Sequence, residues 1–126
     1  QGLGFIENVV IDTHFVQRGR IGRLFQAVVS NPRTLGIGLG EDTGLFIEDD
    51  KMTAIGSGLV IIVDGLQIKD TNLTNVDLGQ PISIKNLVVD VLSMNDTFDL
   101  KSREMNIVNS QYNPIPQVIP SNYTSD

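Results

Sequence analysis

Apolar residues in this chain occur in short blocks, and most blocks have the length of a β-strand. Residues 9–11 form a β-branched run followed by polar residues, which predicts a buried strand. Residues 19–30 predict a helix, because apolar side chains recur there at intervals of three and four: Ile21, Leu24, Phe25 and Val28. Asn31-Pro32 ends this helix.

Beyond residue 33 the pattern predicts short strands. Leucine and isoleucine alternate with glycine over residues 35–40, and further apolar blocks lie at 45–47, 52–55, 59–63, 82–84 and 87–92. Gly56-Ser57-Gly58 predicts a turn between strands, and Asp64-Gly65 predicts a two-residue hairpin leading into residues 66–68. Residues 70–80 are typical of a polar loop. This pattern fits a mostly β domain or the second half of an α/β domain, and does not separate the two.

Composition narrows the classes of function. With 126 residues and a mean hydropathy of +0.05, the chain has the size of one globular domain. Its longest apolar run is too short to span a bilayer, so we expect no membrane partner. The absence of cysteine excludes a disulfide scaffold, a thiolate zinc site and a cysteine nucleophile. One histidine leaves little for a protein metal centre, and we expect no cofactor.

The net charge of −6 is unevenly distributed. Residues 1–33 carry four arginines against two acidic residues, a local charge of +2. Residues 34–126 carry five basic and thirteen acidic side chains, a local charge of −8. An acidic chain repels nucleic acid at long range, so we expect no nucleic-acid partner. The arginines are better suited to a small anionic group.

The candidate chemistry is concentrated at two predicted strand ends. His14, the only histidine, follows the first strand and could act as a general base with Asp12 nearby, or be a structural histidine bonded to a carbonyl. Glu41 follows the second strand and could present its carboxylate to His14, or belong to an ordinary acidic turn. Gly56-Ser57-Gly58 lacks the spacing of a nucleophile elbow.

Three arginines lie at the start of the predicted helix: Arg18, Arg20 and Arg23. Guanidinium groups offer planar forks for carboxylates, so the cluster suggests an anionic ligand. The alternative is a solvated helix flank, or ion pairs with Glu41 and Asp42.

Two segments carry a resemblance to a known family. Residues 12–24, Asp-Thr-His-Phe-Val-Gln-Arg-Gly-Arg-Ile-Gly-Arg-Leu, closely resemble the Asp-Gln-His-Phe-x-x-Arg-x-Arg-x-x-Arg-Leu signature of cyanophycinases. Residues 35–44 resemble that family's Gly-Ile-Gly-Ile-Asp-Glu-Asn-Thr-Ala segment, at the expected distance downstream. The resemblance is specific over about residues 1–65 and looser to about residue 105.

The resemblance implies a fold and a division of the chain. The family is a group of serine peptidases related to dipeptidase E, with a three-layer, flavodoxin-like α/β fold similar to class I glutamine amidotransferases. Residues 1–105 would be the strand-rich C-terminal half of such a domain, and residues 106–126 a proline-containing tail. One face of its sheet would have few helices, so we expect residues 59–63 to expose an apolar patch that an upstream segment covers.

The resemblance also assigns site residues. His14 aligns with the catalytic base and Glu41 with the acid of the triad. The substrate cleft would be built by five residues: Asp12, Thr13, Arg18, Arg20 and Arg23. Thr13 replaces the glutamine of the signature, and Gly40 replaces the aspartate before the triad glutamate. The family's nucleophilic serine lies upstream of the signature, in an elbow that this chain lacks.

The function implied is a serine-type peptidase that hydrolyses isoaspartyl (β-Asp-Arg) linkages, as in cyanophycin degradation. Its partners would be a peptide substrate and an upstream segment carrying the serine, while a homodimer stays open. The alternatives are a non-catalytic relative that binds acidic or arginine-containing peptides, and a structural β-rich domain with a satisfied histidine.

Overall fold

The computed structural model describes residues 8–14, 20–73 and 81–116, and these ranges form a strand-rich α/β domain with one helix. The helix, α1, is Arg20–Ser30. The strands are β1 (Asn8–Asp12), β2 (Thr34–Leu39), β3 (Thr43–Glu48), β4 (Lys51–Gly56), β5 (Val60–Asp64), β6 (Asp70–Thr71), β7 (Ile84–Lys85), β8 (Val88–Leu92), β9 (Thr97–Asp99) and β10 (Glu104–Asn106). The described part of α1 agrees with the predicted helix, whereas β9 and β10 were not predicted.

Two four-stranded sheets contain most of the strands. The first sheet has the order β1-β2-β5-β8, in which β1 and β2 are parallel and the other pairs are antiparallel. The second sheet has the order β10-β9-β4-β3 and is antiparallel throughout. Helix α1 connects β1 to β2 as a crossover, which is what a parallel pair requires. Asp12 is paired with Gly38, so both strands run to the same edge of the sheet.

Helix α1 packs on one face of the first sheet. Leu24 and Val28 of the helix form a buried cluster with Ile61 and Val63 of β5. Gly36 of β2 allows this close approach, because a Cβ atom there would lie 2.8 Å from Cγ2 of Val28. The alternation of leucine, isoleucine and glycine in β2 therefore places its small residues under the helix.

The predicted apolar stripe of α1 is only partly correct. Leu24 and Val28 are buried and Phe25 is partly buried, but Ile21 is exposed at the start of the helix. Val29 and Gln26 are buried instead. The buried face of α1 is thus displaced toward its C-terminal half, where β2 and β5 lie beneath it.

The second sheet covers the opposite face of the first sheet. Together they bury one cluster of nine residues: Leu35, Ile37, Met52, Ala54, Val60, Ile62, Leu92, Phe98 and Leu100. Because alternate residues of β5 face the helix and the second sheet, the whole of Val60–Asp64 is buried. The predicted exposed patch at residues 59–63 is therefore wrong for Val60 to Val63, although Leu59 is exposed.

A tight hairpin turn lies at Asp49-Asp50 rather than at the predicted Asp64-Gly65. Asp49 and Asp50, with φ values of 52° and 63°, connect β3 to β4, because aspartate tolerates the left-handed conformation that a tight hairpin requires. The hairpin predicted at Asp64-Gly65 does not form. The Asp64 carboxylate instead accepts a hydrogen bond of 2.9 Å from the Leu66 N–H, which closes a local turn.

Two other predictions concern the turns and loops. Gly56-Ser57-Gly58 connects β4 to β5 as predicted. The predicted polar loop at residues 70–80 contains β6 at its start, and residues 74–80 lie outside the described ranges. Within those ranges, no helix is long and apolar enough to cross a membrane.

Asp96 fixes the turn between β8 and β9. Its carboxylate accepts hydrogen bonds from the backbone N–H groups of Ser93, at 3.0 Å, and Val108, at 2.9 Å. These two bonds are the main reason that the pKa of Asp96 lies below its usual value, and they outweigh the desolvation of the carboxyl group. The ionised carboxylate therefore stabilises the folded state.

We expect Asp96→Asn to change the pH dependence of stability. Because the folded pKa is below the unfolded one, the contribution of Asp96 is present above about pH 4 and is lost as the pH falls through the folded pKa. The free energy of unfolding of the complete protein, measured in urea, should thus be lower in the variant at pH 7. The difference in the free energy of unfolding between the wild-type protein and the variant should be smaller at pH 3.

Asp90 provides a control of opposite sign. Burial, and secondarily the charge of Asp64, raises the pKa of Asp90, so its ionised form costs stability above the folded pKa. Asp90→Asn should stabilise the protein at pH 7, with a gain that shrinks on acidification. Destabilisation by both substitutions at pH 7, with no dependence on pH, would contradict the electrostatic explanation.

Candidate active site

Three of the predicted site residues, Thr13, His14 and Glu41, lie at one edge of the first sheet. Because β1 and β2 are parallel and Asp12 pairs with Gly38, Thr13 and His14 leave the sheet at the same edge as Gly40 and Glu41. The carboxyl ends of parallel strands are where α/β folds commonly place their ligands. Thr13, His14 and Glu41 are all exposed.

Asp12 shapes the turn that carries His14. One oxygen of its carboxylate, Oδ1, accepts a hydrogen bond of 2.9 Å from the His14 backbone N–H. The other, Oδ2, lies 3.7 Å from Nη1 of Arg20 at the start of α1. Asp12 thus ties the end of β1 to the beginning of the helix, and the Asx turn it forms directs the chain at His14.

Arg20 and Arg23 line a small cleft of about 220 Å³ beside this turn. Among the residues that the structure describes, its remaining walls come from Val10, Ile11, Asp12, Thr13 and Leu24. The first turn of α1 has no acidic residue, so both guanidinium groups lie where the helix dipole disfavours a positive charge. Asp12 compensates Arg20, whereas no carboxylate of the described ranges pairs with Arg23. The cleft can therefore accept an anionic group.

Glu41 lies in the connection between β2 and β3, which together with the first residue of β3 comprises residues 40–43 (the 40–43 loop). The N–H of Gly40 donates a hydrogen bond of 2.9 Å to the carbonyl of Leu59, and the Thr43 hydroxyl donates one to the carbonyl of Gly40. Asp42 adopts a φ of 60° within this loop. The Glu41 side chain is left free to face solvent at the edge where His14 lies.

The structure brings some predicted residues together and not others. Asp12, Thr13, Arg20 and Arg23 share the cleft. His14 and Glu41 share the sheet edge, but among the described residues no hydrogen bond joins the imidazole to the glutamate. Arg18 belongs to the segment 15–19, outside the described ranges, so its predicted role in the cleft stays a prediction.

Sequence reasoning missed the contact between Ser57 and the 40–43 loop. The Ser57 hydroxyl donates a hydrogen bond to the Asp42 carboxylate, and the Ser57 N–H donates one of 3.0 Å to the Asp42 carbonyl. The pair of glycines flanking Ser57 was the available signal, because such glycines often mark a close approach of two backbone segments. No group of three or more possible metal ligands occurs in the described part of the chain.

Comparison with known proteins identifies relatives of this chain. Cyanophycinase of Trichormus variabilis is 42% identical over 103 residues, which are 81% of this chain and 35% of that protein. Cyanophycinase of Synechococcus elongatus is 38% identical over 105 residues, 82% of this chain and 33% of that protein. The chain is a relative of the cyanophycinases. Cyanophycinase of Geminocystis herdmanii, 38% identical over 104 residues, matches 82% of the chain as well.

The match to the cyanophycinases covers only part of each relative. The chain spans about a third of the length of these proteins, from 33% to 38%. No family model matches the chain. The family resemblance read from residues 12–24 and 35–44 is thus confirmed.

Proposed function

We propose that the complete protein is a serine-type peptidase that cuts β-linked Asp-Arg dipeptides from a polyaspartate backbone bearing arginine side chains, as in cyanophycin degradation. The observation that carries the proposal is the cleft at the end of β1. It combines the Asp12–Arg20 pair, the turn of the only histidine, and Arg23, which has no carboxylate partner among the residues that the structure describes. The 38–42% identity to cyanophycinases supports the same class of reaction.

The cleft offers groups that complement both ends of a β-Asp-Arg unit. Such a unit carries carboxylate charge and an arginine guanidinium. Arg23, which has no carboxylate partner among the described residues, can form a two-pronged hydrogen bond to a carboxylate. Asp12 lies in the same cleft and can contribute to binding a guanidinium group. Thr13, which also lines the cleft, stands where the cyanophycinase signature has glutamine and would modify the specificity.

In the proposed reaction the serine comes from an upstream segment. Its Oγ attacks the scissile carbonyl carbon while His14 accepts the hydroxyl proton. The carbon–nitrogen bond then breaks, and His14 returns the proton to the leaving amine. Water cleaves the resulting acyl-enzyme with His14 again as the base. Glu41 orients the imidazole throughout.

We further propose that the upstream segment extends the first sheet beside β1 in a flavodoxin-like arrangement. In the described ranges β1 is an edge strand, and its Val10 and Ile11 are 36% and 54% exposed. An edge strand with apolar side chains is a template for a further strand. The β1–α1–β2 crossover supports this arrangement, because it is the repeating unit of parallel sheets.

Hydrolysis of a polyaspartate bearing arginine side chains tests the proposed function. The complete protein should release soluble Asp-Arg peptides, detected by mass spectrometry, and a serine-directed sulfonyl fluoride should stop the reaction. Peptide mapping should find the modification on a serine upstream of this chain. Binding of the polymer without hydrolysis would overturn the proposal and favour the non-catalytic peptide binder.

We expect Arg23→Lys to weaken substrate binding more than it affects folding. Lysine keeps the charge but loses the two-pronged guanidinium contact, which is worth roughly 1–3 kcal/mol, or about 5- to 150-fold in KM. Steady-state kinetics and thermal melting of the same variant provide the measurement. Arg33→Lys, beyond the other end of α1, is the matched control and should leave KM unchanged. A large fall in Tm with an unchanged KM would identify Arg23 as a structural residue.

A further inference from the structure

The 40–43 loop is held against a second segment, the turn of residues 56–58 (the 56–58 turn). Two hydrogen bonds from Ser57 reach Asp42: the hydroxyl donates to the carboxylate and the N–H donates to the carbonyl at 3.0 Å. Leu59, the residue after the turn, adds a third hydrogen bond: its carbonyl accepts a bond of 2.9 Å from the N–H of Gly40. Both neighbours of Glu41 are therefore bound by one segment.

Glycine is required on both sides of Ser57 for this contact. Gly56 has a φ of 93°, and a Cβ atom at this position would overlap the carbonyl oxygen of Asp42. A Cβ atom at Gly58 would overlap the carbonyl oxygen of Glu41 and lie 2.6 Å from Cγ2 of Thr43. The two backbones thus approach more closely than any other residue type permits.

The tight contact has no explanation in the hydrophobic core. Glu41, Asp42 and Ser57 are exposed, and the core residues of the two sheets lie elsewhere. What the contact does fix is the backbone of Glu41, at the edge of the sheet that also carries His14. An exposed loop without such support would sample several conformations.

We propose that the 56–58 turn is the positioning element for Glu41, with Ser57 and Gly58 as its positioning residues. This inference rests on the proposed function, in which Glu41 orients the imidazole of His14. The turn acts on the reaction only through Glu41. Ser57 bonds to the neighbouring Asp42, and Gly58 leaves room for the Glu41 carbonyl.

Alanine at Gly58 tests the inference in the complete protein. The added methyl group displaces the Glu41 backbone, and kcat should fall about 10- to 100-fold with KM within about twofold, since small displacements in an active site have effects of this size. Ser57→Ala should have a smaller effect, about 3- to 10-fold on kcat. Ser57→Thr keeps the hydroxyl and should have a kcat close to that of the wild-type protein.

Gly65→Ala is the matched control. A Cβ atom at Gly65 would lie 2.7 Å from Cγ1 of Val28, so this variant also introduces a close contact, but after β5 at the opposite end of the first sheet. Assays are made at a temperature where both variants are folded by circular dichroism. Gly65→Ala should then retain the wild-type kcat.

The decisive measurement is the double variant of Gly58→Ala and Glu41→Gln. If the turn acts through Glu41, Gly58→Ala should cause no further loss of kcat in the Glu41→Gln protein. Equal losses in both backgrounds, or an unchanged kcat of Gly58→Ala, would overturn the inference. A wild-type kcat of Glu41→Gln itself would instead overturn the triad assignment of the proposed function.

Discussion

Replacing His14, the proposed base, with alanine in the complete protein is expected to lower kcat by about 10⁴- to 10⁶-fold, the range typical of removing one member of a serine triad. His14 is the only histidine, so no second imidazole in this chain can replace it as the base. Its turn follows β1 directly and is fixed by the Asp12 carboxylate through the backbone N–H rather than through the ring. Steady-state turnover of a β-Asp-Arg substrate measures the effect.

Two observations separate a catalytic from a structural role of His14. Its side chain is exposed, so His14→Ala should leave the Tm nearly unchanged. Imidazole added to His14→Gly should restore part of the activity, because the space left by the ring faces solvent. Turnover close to wild type in His14→Ala would remove His14 from the mechanism, and a large fall in Tm would identify a structural histidine.

The sequence was most informative where one periodicity covered a whole element. The three- and four-residue spacing of Leu24 and Val28 predicted α1, and the alternation of leucine and isoleucine with glycine predicted β2. The position of the candidate site at one edge of the first sheet follows from the order of its strands. Once β1 and β2 are parallel neighbours, His14 and Glu41 must emerge on the same side.

The errors arose where tertiary contacts outweigh local signals. Asp64-Gly65 has the local pattern of a hairpin, but Asp64 is buried and bonded to Arg103, so the chain turns away. Strands β9 and β10 have three residues each and few apolar side chains, and their positions depend on the pairing of β9 with β4 and of β10 with β9. The second sheet, which covers β5, could not be predicted from short segments of this kind.

The contact of Ser57 with the 40–43 loop was missed for a related reason. Local sequence shows that Gly56 and Gly58 permit unusual backbone conformations, but not which segment they approach. The partner is set by β2 and β5 pairing in the first sheet, which brings residue 60 opposite residue 39. The candidate site residues were assigned by resemblance, whereas the contacts that surround them became apparent only from the fold.

The other large effect is expected at the ion pair between Arg103 and Asp64. Nη1 of Arg103 lies 2.7 Å from Oδ1 of Asp64, and Nη2 donates a hydrogen bond of 3.1 Å to the carbonyl of Arg33. The two side chains are only 8% and 11% exposed. The pair joins the turn between β9 and β10 to the end of β5, and so connects the two sheets.

We expect Arg103→Met to destabilise the complete protein by about 3–5 kcal/mol, because methionine keeps the volume but leaves the Asp64 carboxylate buried without its counter-charge. Urea unfolding at pH 7 measures the loss. Lys101→Met, in the same turn, is the matched control. The Lys101 side chain is 65% exposed, and its Nζ lies 3.7 Å from Oδ2 of Asp50. Lys101→Met should therefore lower the free energy of unfolding by no more than about 0.5 kcal/mol.

The double variant Asp64→Asn with Arg103→Met distinguishes a buried charge from lost packing. Asparagine can still accept the Leu66 N–H and carries no charge, so the two substitutions should be coupled by about 1–3 kcal/mol. If the losses of stability in the two single variants simply add in the double variant, water already compensates the charges of Asp64 and Arg103. Asp64 lies opposite Leu35, near the start of β2, in the first sheet. The ion pair of Asp64 with Arg103 is therefore at the opposite end of this sheet from His14 and Glu41. The kcat of the folded fraction should therefore be unchanged, which separates this stabilising contact from the residues of the proposed site.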